Sequence, residues 1–114
     1  NNKDHYDLVI IGSGSAPFAG AIKAVELGKK VAMVERSTLG GTCVNVGCVP
    51  SKTLIRAAEA RHNALHINFK GIASKGISFD FSTIIDEKDE LVDSLRDAKY
   101  KNVLRSYESI DFIE

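Results

Sequence analysis

The chain has no surplus of charge: 15 basic side chains balance 15 acidic ones over 114 residues. Such a balance leaves no electrostatic footprint for nucleic acid or for an anionic membrane surface. No block of like charge marks a disordered tail, and no internal repeat or low-complexity segment is visible. Long apolar runs are also missing. Leu8-Val9-Ile10-Ile11 is as long as any, far short of a bilayer span. Its position after Tyr6-Asp7 and before glycines is unlike a signal peptide. Cysteine is scarce, present only as Cys43 and Cys48. Without a secretion signal the cytoplasm is the expected compartment, where a cysteine pair is more often catalytic or metal-binding than structural. The chain opens on Asn1 instead of methionine, so a processed, cleaved or excised origin is expected.

What is present reads as an α/β chain. Residues 6–11 have the pattern of a buried strand ended by Gly12-Ser13-Gly14. Residues 15–27 read as a helix with Phe18, Ala21, Ile22 and Val25 inward, and Gly28 suits the left-handed residue that closes it. Val31 to Glu35 reads as a second strand. Strand, glycine turn, helix and strand in so few residues make a βαβ unit, which predicts a parallel sheet. Residues 36–49 read as loop, and Pro50 fits the first turn of a helix over 50–66 with Leu54, Ile55, Ala58 and Leu65 inward. After a Gly- and Ser-containing connection, Ser82 is the expected cap of a helix over 82–106. Its inward positions are Ile84, Ile85, Leu91, Val92, Leu95, Val103 and Leu104. Ile110 to Ile113 alternate like a strand just begun, so the chain is expected to stop inside an unfinished sheet.

Gly12-x-Gly14 lies between strand and helix, where a dinucleotide pyrophosphate meets a helix N-terminus. Gly12 permits the tight turn and Gly14 lets the backbone approach the anion. Glu35, 21 residues beyond Gly14, stands at the end of the second strand. A carboxylate there accepts hydrogen bonds from an adenosine ribose and repels a 2′-phosphate. The third position of the pattern, usually glycine or alanine, is Pro17. In the first helical turn a missing N–H costs no intrahelical bond, although the ring fills space that a small residue leaves free.

The cysteines admit three readings. Residues five apart on an ideal helix have Cα atoms roughly 8.7 Å apart, whereas a disulfide needs about 4.4–6.8 Å. A Cys43–Cys48 bridge therefore requires broken helix, which Gly47 and Pro50 allow. At a helix start, such a bridge can release a thiolate stabilised by the dipole and by Lys52, as a redox-active pair requires. Alternatively, Cys43, Cys48, His62 and His66 follow the order of a Cys2His2 zinc site. Against this, the positions where a zinc finger packs an aromatic and a leucine between its second cysteine and first histidine hold Lys52 or Thr53 and Ala58 or Glu59. The third reading is two unrelated buried thiols in a nucleotide-binding domain.

Gly40-Gly41-Thr42-Cys43-Val44-Asn45-Val46-Gly47-Cys48-Val49-Pro50-Ser51-Lys52 resembles the signature of the pyridine nucleotide–disulfide oxidoreductases. Within that family the segment is most similar to the mercuric reductases, as are Ile10 to Ala16, Asp89 to Val92 and Lys99 to Leu104. The resemblance implies that residues 1–114 form the N-terminal part of a Rossmann-like FAD-binding domain. It implies that Gly12, Gly14, Ser15 and Ala16 hold the FAD pyrophosphate and Glu35 the ribose, with Thr42 and Lys52 near the flavin. Cys48 would face the flavin and Cys43 would exchange with substrate. The implied reaction passes electrons from NADPH through FAD to the cysteine pair, which transiently holds Hg(II) on its way to Hg(0). Dihydrolipoyl dehydrogenase- or glutathione reductase-like reduction of a small disulfide is the alternative. The resemblance also implies a homodimeric parent, and a 114-residue chain that lacks the NADPH site and turnover.

Overall fold

A computed structural model describes residues 5–114. Asn1, on which the expectation of processing rests, lies outside them. Three four-residue strands, β1 (Leu8–Ile11), β2 (Val31–Val34) and β3 (Ile110–Ile113), form one sheet in the order β1-β2-β3. Both pairings are parallel, with Met33 opposite Ile10 on one side and Phe112 on the other. The expected parallel sheet is present, and β3 is a full partner in it.

The central strand is apolar and small enough to be covered on both faces. Val31, Ala32 and Met33 are all buried. Helix α1 (Ser15–Glu26) lays Phe18 and Ala21 on the sheet and ends before Gly28, which takes the left-handed conformation at φ +73°. Tyr100 meets the Phe18 ring edge-on, with centroids 5.0 Å apart and planes at 81°. Val44 and Ile110 complete this core.

β1 departs from the reading of a buried strand: Leu8, Val9 and Ile11 are exposed and only Ile10 is half-buried. It occupies a sheet edge, with β2 as its one neighbour among the described residues. The expected loop over 36–49 contains a short helix α2 (Gly41–Asn45), and α3 (Cys48–Leu65) begins two residues earlier than Pro50 indicates. Proline marks a first turn without fixing which position of that turn it occupies. Of the inward positions expected on α3, Leu54 is half-buried while Ile55, Ala58 and Leu65 are exposed. No residue of α3 is fully buried; it packs mainly against two helices, α4 (Phe81–Arg96) and the short α2.

The long C-terminal helix is also more articulated than its pattern. Asp80, not Ser82, caps α4, its carboxylate accepting from the backbone N–H groups of Ser82 and Thr83. Leu91 is exposed, whereas Val92 is buried. A π turn (Asp97–Lys101) follows α4 before the chain resumes as α5 (Asn102–Arg105). Together α3, α4 and the connection between them extend the molecule to 76 × 25 × 19 Å. No helix among the described residues is long and apolar enough to cross a membrane.

Candidate functional site: a glycine turn beside a dithiol

The site begins where β1 ends. Gly12 turns the chain at φ +104°, a conformation that side chains resist, while its N–H donates to the Val34 carbonyl at 2.7 Å. Gly14 then caps α1 in extended backbone, with no side-chain cap and no acidic residue in the first turn. A Cβ built on Gly14 would meet nothing within 4 Å, so its outer face is open. The N–H groups of Ser15 and Ala16 at this helix start are unclaimed by a capping side chain, which suits an anion. Pro17 is accommodated: its Cγ stands 3.9 Å from where a Cβ on Gly12 would be.

Glu35 follows the end of β2, held by two donors. The Ser13 hydroxyl donates to Oε2 at 2.7 Å and the Ser37 N–H to Oε1 at 3.0 Å. The Ser13 bond, then the Ser37 amide, keep the Glu35 carboxyl below its ordinary range. Each carboxylate oxygen retains a lone pair for a further donor. Ser13 is itself buried and accepts the Gly40 N–H at 3.1 Å, tying the first turn to the cysteine loop. Sequence reasoning missed Ser13. A serine between two turn glycines carries no signal until the fold brings Glu35 and Gly40 to it.

Two glycines set the loop against the turn. Gly41 has φ +72°, and a Cβ there would come within 2.9 Å of the Gly14 Cα. Gly12, Gly14, Glu35 and Thr42 thus line one cleft of about 410 Å³, with Asn45 at its edge. Ser15 flanks it, sharing a 3.1 Å hydrogen bond with the Tyr100 hydroxyl.

Cys43, next to Thr42, sits mid-way along α2, and Cys48 is the first residue of α3. The backbone leaves helical geometry between them: Gly47 has φ −115° and ψ −116°, and a Cβ on it would strike the Thr42 carbonyl at 2.9 Å. This is the break that the spacing demanded. Both cysteines are exposed free thiols, so the reading of two buried thiols does not hold. A hydrogen bond to Cys48 raises the Cys43 pKa most, followed by desolvation; the Cys48 backbone N–H and, more weakly, the Lys99 ammonium pull it down. The cation acting on the Cys43 thiol is Lys99 of the π turn. Lys52 is exposed on α3, one turn beyond Cys48, and does not line the cleft. The zinc reading fails on geometry. Cys48 and His62 stand on one helix, roughly 21 Å apart along its axis, and no group of three metal-ligating side chains gathers among the described residues. His62 and His66 instead stack on each other, ring centroids 4.2 Å apart.

The comparisons agree with this geometry. A family model described as pyridine nucleotide-disulphide oxidoreductase matches residues 6–113. A mercuric reductase of Lysinibacillus sphaericus is 52% identical over 106 residues, which cover 93% of this chain and 19% of that protein. A dihydrolipoyl dehydrogenase of Bacillus subtilis is 43% identical over 89 residues, 78% of this chain and 19% of its own length. Among solved structures, the HOCl-induced flavoprotein disulfide reductase RclA of Escherichia coli superposes with a TM-score of 0.74 at 33% identity. That match covers 95% of this chain and 21% of the RclA chain. The chain thus spans about a fifth of the length of the relatives it matches.

Proposed function

The chain belongs to the pyridine nucleotide–disulphide oxidoreductase family, and on that premise we propose that it is the FAD-binding and redox-dithiol segment of an NADPH-dependent mercuric reductase. One observation carries the reading: the cleft of the glycine turn and the Cys43–Cys48 pair share a single loop, with Thr42 lining the cleft immediately before Cys43. The higher identity to a mercuric reductase than to a dihydrolipoyl dehydrogenase favours Hg(II) over a small disulfide as substrate.

The residues present fit FAD. An uncapped helix start, an open Gly14 and a cleft free of competing acid on the helix side accept a pyrophosphate. Glu35, ionised and pre-oriented by Ser13 and Ser37, is left with acceptor capacity for ribose hydroxyls. Gly12, Gly14, Ser15 and Ala16 would hold the pyrophosphate; Thr42 and Lys52 would lie near the flavin. When bound, FAD supplies the two-electron chemistry that links NADPH to the sulfur site. The protein's own contribution is the dithiol. Cys43 and Cys48 lose their two protons as two S–Hg(II) bonds form, a pairing suited to a soft cation. Two-electron reduction then breaks both bonds, leaving Hg(0) and two thiolates. The full enzyme would be a cytoplasmic homodimer whose NADPH site lies outside these residues.

The test is an absorbance spectrum of the full-length enzyme, before and after one equivalent of NADPH and then with Hg(II). Flavin bands, a long-wavelength thiolate-to-flavin band and Hg(II)-driven NADPH consumption are expected. Flavin and charge transfer without mercury turnover would move the substrate to a disulfide. A protein without flavin would overturn the reading.

A further inference from the structure

The short helix that carries Cys43 cannot hold its own place. Five residues are too few for a stable helix in isolation. Three of the side chains in the cysteine loop that face substrate and cofactor in the proposed function depend on where this helix sits: Thr42, Cys43 and, across Gly47, Cys48. Its last residue, Asn45, is held from both sides. The Asn45 Nδ2 amine donates to the carbonyls of Leu39 and Gly41, each at 2.9 Å. Its Oδ1 accepts from Arg96 Nη1 at 2.8 Å, across 51 residues of sequence. Arg96 closes α4, and its guanidinium is also paired with Asp93.

These contacts have a direction. A guanidinium only donates and a backbone carbonyl only accepts, so Arg96 fixes which end of the Asn45 amide is oxygen. The amine is thereby committed to the two carbonyls on either side of Gly40, and α2 is stapled to the loop that precedes it. The bond to Arg96 is charge-assisted and partly shielded, with the Arg96 side chain 26% exposed. The π turn that follows α4 then returns to the same region: Tyr100 bonds Ser15 and sits where a Cβ on Gly40 would be 3.0 Å from its ring. Such turns recur at functional sites.

We propose that Arg96 is a positioning residue for the Cys43–Cys48 dithiol, acting through Asn45 to hold α2, and hence the two sulfur atoms, at bonding approach. The inference rests on the redox-dithiol reading but not on mercury as substrate. In exchange with glutathione disulfide, the two thiols give up their protons as one intramolecular disulfide forms and two glutathione thiols are released. The equilibrium constant of that exchange measures how closely the sulfurs are held.

The experiment titrates the full-length flavoprotein against glutathione redox buffers, comparing the parent with Arg96→Met, Arg96→Lys, Asn45→Ala and the double variant. Arg96→Met should lower the exchange constant about tenfold, the scale of one charge-assisted hydrogen bond, with the flavin absorbance of the oxidised protein unchanged. Arg96→Lys should recover part of the loss, and it carries the test if the methionine variant does not fold. The double variant should be no worse than Asn45→Ala, because the two residues act as one linkage. An exchange constant unmoved in both Arg96 variants would overturn the proposal, as would losses that add fully in the double variant. Failure of the mercury assay with an intact Arg96 effect would strike the proposed substrate alone. Absence of flavin in the parent would strike the wider reading.

Discussion

At the scale of single residues, Ser13 links the two halves of the site. Its hydroxyl donates to Glu35 and accepts from Gly40, so one buried oxygen joins the first turn, the second strand and the cysteine loop. Because the Ser13 bond is the largest cause of the lowered Glu35 pKa, Ser13→Ala should raise that pKa toward its ordinary value of 4.5. The sign follows from linkage. A carboxylate with a depressed folded pKa adds stability that is fully present above its unfolded value and is lost as pH falls through the folded value. Unfolding midpoints of parent and Ser13→Ala protein, measured from neutral to acid pH, should therefore lie furthest apart near neutrality and draw together in acid. A gap that stays constant across that range would show that Glu35 ionisation is not what Ser13 supports. Cys43 gives a second prediction of the opposite kind. Its pKa is raised chiefly by its hydrogen bond to Cys48. Cys48→Ala should bring alkylation of reduced Cys43 by iodoacetamide to lower pH, since only desolvation then holds the thiol up. An unchanged pH profile of the alkylation rate would mean that the two thiols do not share a proton.

At the scale of elements, the glycines separate what the sequence makes visible from what it hides. Gly12 and Gly28 are legible, because a strand or helix pattern stops at each, and both have positive φ. The βαβ unit and its parallel pairing follow from the same patterns. The interior of the cysteine loop does not. Gly41 matters because a Cβ there would stand only 2.9 Å from the Gly14 Cα, nearer than real Cβ contacts come, at a contact between segments 27 positions apart. Nor does hydrophobic periodicity reveal a π turn, since one added residue per turn leaves the apolar stripe nearly continuous from Leu95 to Leu104. Asp80 displaced Ser82 as the helix cap for a local reason: its carboxylate reaches two backbone donors at once, and the Ser82 hydroxyl becomes a third. The loop geometry is open to a paired test. Gly76→Ala, at φ +101° in open space, should cost only backbone strain, about 1–3 kcal/mol. Gly41→Ala should add a backbone collision to similar strain and, in the full-length flavoprotein, release flavin during purification. Equal stability losses in the two variants, with flavin retained in both, would show that the loop and turn have room to separate.

At the scale of the whole molecule, the shape is the informative quantity. A compact domain of this length has a radius of gyration of about 13 Å, whereas this one reaches 20.8 Å. The excess lies in the arm of α3 and α4, where exposed Ile55, Phe69, Ile72, Phe79 and Phe81 find no core to enter. The true core is small, centred on Met33, Val31, Phe18 and Tyr100, and it sits entirely at the sheet end. Two levels of local stability should follow, since regions with few buried contacts open at lower free energy than the core. In hydrogen exchange on the 114-residue chain, the amides of β2, α1 and β3 should be the slowest. Those of the 66–80 connection and the adjoining ends of α3 and α4 should exchange orders of magnitude faster. The same preparation should scatter X-rays with a radius of gyration near 20.8 Å. A radius near the compact value, together with protection in the arm matching that of β2, would mean that the arm folds back on the sheet. Val9 and Ile11, exposed together on one face of β1, would offer it an apolar surface to rest on.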